Sequence, residues 1–270
     1  MDPSAYKLLS HREHVLLRPG MYVGSVEPDS CVGWVLGQEE GGARMTQREL
    51  RYVPALFKVF DEVLVNAIDH AVRLKTQHAG ASSSATPSED GSESAAGPTK
   101  RRRLEQPAVR KISVAVDRAT GVLEVMNDGA GIDVEQHPEH GCYVPELIFG
   151  HLLSSANYDD EAAAAAGGRT VGGQNGIGAK ACNIFAKWFE VETVDATRKR
   201  IYTQRWEDNM SVCRPPVVKA CAKKPYTRVR FLPDYARLGV PGGLDADNAA
   251  LMERRAYDAC AVTDPEVAVW

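Results

Sequence analysis

The sequence predicts an α+β fold, a two-layer sandwich in which a mixed, mainly antiparallel sheet carries helices on one face. Two features of the pattern lead there. Alternating apolar and polar runs at 188–194, 199–206, 210–213 and 226–232 follow one another across short turns. Helical periodicity is grouped elsewhere, around 54–75, 145–154, 179–187 and 245–260. A hydrophobic content of 44% in 270 residues is enough for one large core or two small ones.

Taken in chain order, the first 22 residues read as a strap leading into the first long helix. That helix is Phe60-Asp61-Glu62-Val63-Leu64-Val65-Asn66-Ala67-Ile68-Asp69-His70-Ala71 and its flanks, with apolar residues at 60, 63, 64, 67, 68 and 71. Glu62, Asn66 and Asp69 then share a polar stripe beside the apolar face. A carboxylate and a carboxamide one turn apart suit a water-activating base beside an oxygen-coordinated Mg²⁺; a solvated polar face is the plainer alternative.

Residues 79–107 hold Leu104 as their only large apolar residue and are dense in Ser, Gly, Pro and charge. Such a composition cannot offset ordering entropy, so a disordered surface insertion is expected. Its Lys100-Arg101-Arg102-Arg103 run reads as a nuclear localisation signal, a weak DNA contact or a solvating cluster. Strands are expected at 109–116 and 122–127, the second running into Asn127-Asp128-Gly129-Ala130-Gly131. There an amide at the strand end can read a base edge while glycines let backbone approach a ligand; ordinary turn chemistry explains the same residues.

Farther on, Gly172-Gly173-Gln174-Asn175-Gly176-Ile177-Gly178-Ala179-Lys180 precedes an apolar-periodic segment. Backbone without Cβ atoms ahead of a helix makes a phosphate cradle, or else a flexible turn that caps a helix. The Walker pattern is not met, because Ala179 precedes Lys180 and Ala181 follows it. The alanine- and glycine-rich stretch Glu161 to Gly168 suits a hinged segment.

Composition excludes several classes. A formal net charge of −4 argues against a nucleic-acid clamp made of the whole chain, though not against a local contact. Six cysteines without a Cys-x2-Cys pair indicate neither zinc ribbon nor redox motif, only buried thiols of a reducing compartment. The pairs His11/His14 and His137/His140 lack the His-Glu-x2-His pattern and read as surface histidines. No apolar run of membrane-spanning length and no signal core is present, so no membrane partner is expected.

Taken together, Glu62-x3-Asn66, Asn127-Asp128-Gly129-x-Gly131 and the loop ending at Lys180 resemble the three nucleotide-binding motifs of the GHKL ATPase superfamily. Within it the chain is similar to the N-terminal ATPase region of eukaryotic-type DNA topoisomerase II. Further segments carry that resemblance: Glu13 to Ser25 with its Arg18-Pro19-Gly20-Met21-Tyr22, Tyr143 to Leu153, Asn157-Tyr158-Asp159-Asp160, and Arg254-Arg255-Ala256-Tyr257-Asp258. A chaperone or mismatch-repair ATPase of the same superfamily should lack two of these, and a non-catalytic nucleotide-binding regulator remains a third reading.

The resemblance implies ATP and Mg²⁺ as cofactors, with nucleotide lying between helices. It implies Glu62 as general base, Asn66 as Mg²⁺ ligand and Asn127 as reader of the adenine amino group. Ser155 and Asn157 would contact ribose and phosphate, with Ala156 where the family usually has a second serine. The triphosphate would lie in Gly173, Gln174, Asn175, Gly176, Ile177, Gly178, Ala179 and Lys180, where Ile177 replaces a customary tyrosine. It further implies an ATPase domain over 1–262, a lid over nucleotide across 158–176 between two of the motifs, a strap at 1–22 that crosses to a partner protomer, and a truncated transducer domain starting at 263–270. The transducer's phosphate lysine and the cleavage core would lie beyond the sequence given, so slow hydrolysis of bound MgATP is expected. DNA, reached through the full-length enzyme, and a second copy of the chain are the implied partners, and the nucleus, or alternatively the mitochondrion, the implied location.

Overall fold

The computed structural model describes residues 8–39, 42–83, 107–152 and 176–270, with side chains left out at 38–39, 42–43 and 77–83. Its frame is an eight-stranded sheet formed by β3 (Lys111–Val116), β4 (Leu123–Asp128), β5 (Ala186–Asp195), β6 (Arg200–Glu207), β7 (Val212–Cys213), β8 (Val217–Ala220), β9 (Tyr226–Pro233) and β10 (Ala268–Val269). The order is β10-β3-β4-β9-β5-β6-β7, with β8 also paired to β6. Among the described strands only β10 and β3 run parallel, so the sheet is mixed and mainly antiparallel as the alternating runs predict.

Strand register explains the two faces. Leu123, Phe231, Phe189 and Trp206 lie in one cross-strand row, and Val125, Val229, Val191 and Gln204 in the next. These side chains are buried, and Phe189 packs its ring 5.9 Å from Phe231 and 6.2 Å from Trp206. The alternate residues carry charge: Arg230 meets Glu124 at 3.0 Å and Arg228 meets Glu192 at 2.8 Å. One face therefore has to be covered by helices, and the other needs no cover.

The helices supply that cover. α2 (Pro54–Ser83) buries Leu56, Val59, Phe60, Val63 and Leu64, and α5 (Ala246–Val262) buries Ala249, Met252 and Ala259. α2 also carries on it the short α4 (Gly178–Ile184), against which α3 (Val144–Gly150) lies. Asp245 caps α5, its side chain accepting from Asn248 N at 2.8 Å.

The structure departs from expectation at several elements. A long antiparallel hairpin, β1 (Asp29–Glu39) with β2 (Gly42–Tyr52), precedes α2, where only a strap and then helix were expected. Its alternation is blurred by Gly33 and Gly37 and by exposed Val32 and Trp34, and it is pinned through Val35 and Leu50 against Ala250 of α5. Within the strap region, α1 (His11–Leu17) is a helix with a complete capping box between Ser10 and Glu13. Arg18-Pro19-Gly20-Met21-Tyr22 contains a 3-10 turn over Pro19–Met21, whose Pro19 carbonyl accepts from the amides of Tyr22, Val23 and Gly24.

Helix α2 runs past 75 to Ser83, so 79–83, assigned to the insertion, continue a helix already held by its buried first half. Residues 84–106 lie outside the described residues. The strand expected at 210–213 shrinks to Val212–Cys213, because Asp208, Asn209 and Met210 take φ values of 52°, 57° and 64° in a left-handed turn. Within residues 263–270, which the sequence reading gives to the start of a second domain, Ala268 and Val269 pair with Lys111 and Ile112 of this sheet.

Candidate nucleotide site

The polar stripe of α2 falls where the helix meets α4. Gly178, first residue of α4, lies so close to Glu62 that a Cβ there would stand 1.8 Å from Oε2 of the carboxylate. A side chain there would force the carboxylate or the helix start to move. On its other side Glu62 Oε1 is held by Lys58 Nζ at 2.5 Å, one turn back on the same helix, and the contact pushes the Lys58 pKa up. Glu62 is thus fixed from two directions, with its two oxygens distinguished. Lys58 was missed in the sequence, although its i, i+4 spacing to Glu62 is a standard pairing signal.

Asn66 follows one turn on, half-buried, and among the described residues its carboxamide has no hydrogen-bond partner. A neutral oxygen donor left open beside a carboxylate fits a hard dication that keeps most of its waters. Asp69, the third residue of the stripe, is buried.

Asn127 ends the helix-facing side of β4 in a row with Thr227 and Thr193, continuing to Tyr202. The buried rows grow polar toward this end of the sheet. Asn127 Nδ2 donates to the Asp128 carbonyl at 2.8 Å, which leaves Oδ1 as the acceptor, the atom that reading an amino group requires. Thr193 Oγ1 accepts from Ile132 N at 2.9 Å, donates to Tyr226 O at 3.1 Å and lies 3.0 Å from Thr227 Oγ1. Neither threonine was singled out in the sequence, since strand threonines are ordinary and only the register puts them beside Asn127.

The glycines after Asn127 have a packing task within the fold. A Cβ on Gly129, whose φ is +88°, would meet Val109 N at 2.8 Å, and one on Gly131 would meet Val194 O at 2.0 Å. They bring the turn against neighbouring chain segments, while Asp128 accepts from the amides of Arg110 and Lys111. His70 of α2 contacts the Ala130 carbonyl at 2.6 Å through Nε2 and so ties the stripe helix to this turn; burial lowers its pKa.

Lys180 is buried, its Nζ donating to the Gly176 carbonyl at 2.5 Å. Burial pulls its pKa down to about 8. Gly176 takes φ +59°, and Ile177, in place of the customary tyrosine, packs with Ala179 against the core. Of the expected site, the structure thus brings Glu62, Gly178 and Lys180 together at the α2–α4 contact, with Asn66 on the next turn and Asn127 at the end of the strand beneath α2. Ser155, Asn157, Gly173, Gln174, Asn175 and most of the expected lid lie outside the described residues.

Comparison with known proteins fits this geometry. No family model matches the chain. It is 40% identical over 254 residues to DNA topoisomerase 2 of Candida glabrata, covering 94% of this chain and 15% of that protein. The Saccharomyces cerevisiae protein of the same name is 39% identical over 254 residues, again across 94% of this chain and 15% of its own length. Among solved structures, the ATPase region of Saccharomyces cerevisiae topoisomerase II superposes with a TM-score of 0.77 at 38% identity, over 96% of this chain and 58% of that one. The ATPase and transducer domains of DNA topoisomerase II from Balamuthia mandrillaris give the same values. The chain spans roughly a seventh of the curated relatives, at the 15% quoted. In sequence and in fold, it belongs with the N-terminal ATPase regions of eukaryotic DNA topoisomerase II.

Proposed function

We propose that this chain binds MgATP and hydrolyses its terminal phosphoanhydride, acting as the ATP-operated N-terminal gate of a type IIA DNA topoisomerase. The observation that carries the reading is the seating of Glu62 between Lys58 and Gly178, at the start of the helix that follows the glycine loop. Anchored at Oε1, Glu62 keeps Oε2 on the loop side, where it takes a proton from the attacking water as the water oxygen bonds to the γ-phosphorus and the bridging P–O bond breaks. Asn66 would hold Mg²⁺ through its carboxamide oxygen, and the ion would neutralise phosphate charge. Asn127 Oδ1 accepts from the adenine amino group, and Thr193 and Thr227 keep that end of the sheet polar. Lys180, buried and turned to the loop, adds positive charge beside the phosphates when protonated. Gly173 to Ala179 wrap the triphosphate, and Ser155 and Asn157 contact ribose and phosphate.

On this reading ATP closes two copies of the domain, the strap of each covering the other's nucleotide, and the closure is coupled to passage of a DNA duplex by the whole enzyme. The nucleus is the proposed location, which agrees with the eukaryotic sources of the relatives named. Among the described residues no helix is long and apolar enough to cross a membrane.

Equilibrium binding of a fluorescent ATP analogue tests the metal role. With Asn66→Ala, the tightening that Mg²⁺ gives the wild-type chain should fall by on the order of tenfold or more. An unchanged Mg²⁺ dependence would remove Asn66 from the site.

A further inference from the structure

We propose that the loop His137-Pro138-Glu139-His140 is a binding site for a transition-metal dication of the zinc class, separate from the nucleotide site. Three ligand atoms, one each from His137, Glu139 and His140, lie within 4.8 Å of one another. They come from four consecutive residues, and the backbone between them is already folded. Gln136 and Tyr143 form a bridge at its base, His137 N donates to Cys142 O at 2.8 Å, and Gly141 N donates to His137 O at 3.0 Å. Gly141 closes the turn at φ +66°, where a side chain would be strained, and Pro138 fixes the φ that follows His137. Ordering cost is therefore largely met before a cation arrives.

The side chains are placed for each other and for nothing else described. The two imidazoles stack with centroids 4.6 Å apart and planes 23° from parallel. Among the described residues the only hydrogen bond to either ring is Glu139 N to His137 Nδ1, at a long 3.3 Å. Glu139 has no ion-pair partner there, although carboxylates on the sheet face are paired with arginines. Glu139 and His140 are exposed, so small rotations can close the ligand atoms to the spacing that bonds of about 2.0–2.1 Å require. A long hydrogen bond at the surface costs little to exchange for a metal bond.

Donor chemistry selects the ion. Two imidazole nitrogens and one carboxylate suit Zn²⁺, with solvent in the fourth position, and Cu²⁺ or Ni²⁺ in the same class; Mg²⁺ prefers oxygen and its own waters. The site would thus load independently of the Mg²⁺ that accompanies nucleotide. Bound metal would clamp the segment that leads into α3.

The test uses the whole chain, stripped by chelator and titrated with Co²⁺ and then Zn²⁺ in the presence of excess Mg²⁺. One equivalent of Co²⁺ is expected, with a visible spectrum of nitrogen and oxygen ligation and no thiolate charge-transfer band. Zn²⁺ affinity should fall about tenfold or more in His140→Ala and be lost in His137→Ala/His140→Ala. Circular dichroism and nucleotide binding unchanged in these variants would keep the loss from being one of folding. A thiolate band, which points to the cysteines, overturns the proposal. So does full stoichiometry in the double variant, or displacement of Co²⁺ by Mg²⁺.

Discussion

At the scale of single residues, the site depends on where side chains are absent as much as on where they are. Gly178→Ala adds a methyl group 1.8 Å from Glu62 Oε2, and the carboxylate must move or α4 must shift. Phosphate release should fall at least tenfold, with nucleotide affinity much less affected, since misplacing a reacting group by about 1 Å can cost on the order of 10² in rate. Equal turnover in wild type and variant would mean that the Glu62–Gly178 contact is not part of the machinery. Lys180 gives a second test. Its pKa, lowered by burial to about 8, should rise when a triphosphate is bound, because negative charge nearby favours the ammonium form. ATP binding should therefore take up protons at pH values from about 8 upward, measured as a dependence of the calorimetric heat on the buffer's ionisation enthalpy. Heats that do not vary with the buffer would place Lys180 away from the phosphates. Glu62 and Asn66 were legible in the sequence because helical spacing alone puts them on one stripe. The packing tasks of Gly129 and Gly131 were not, since Val109 and Val194 approach them only through the fold.

Among the elements, those that bury one face and expose the other were readable, and those that do neither were not. Strands β5, β6 and β9 alternate cleanly because arginines and glutamates pair on the open face while aromatics fill the covered one. Hairpin β1–β2 lies off this sheet, carries glycines and exposes Val32 and Trp34, so its period-two signal is weak. Helix α1 was different: Ser10-His11-Arg12-Glu13 is a readable capping box, hidden by treating the N-terminus as one extended strap. The aromatic row predicts how stability is distributed. Trp206, 1% exposed and in edge contact with Phe189, should lose about 3–5 kcal/mol on replacement by Ala, read from urea unfolding. Trp34, 51% exposed, should lose much less in the same measurement. Equal losses at the two positions would mean that the sheet–helix core does not dominate stability.

For the molecule as a whole, fold class was legible but strand order was not. Local patterns mark a strand and its buried side; they do not name its neighbours. β9 inserts between β4 and β5, although it follows both in sequence, and β10 returns to the far edge beside β3. That insertion creates the row Asn127, Thr227 and Thr193, so the polar end of the sheet is a product of topology. α2 then spans the assembly, with Glu62 toward α4 and His70 fastened to the turn after Asn127. On the proposed reading Glu62 and Asn127 serve different steps, so hydrolysis should be separable from binding. The most direct measurement compares ATP binding and phosphate release in the wild-type chain and Glu62→Gln. The account predicts affinities within about threefold of each other and release reduced by roughly 10²-fold or more in the variant. Release unchanged in Glu62→Gln, or lost only together with binding, would contradict it.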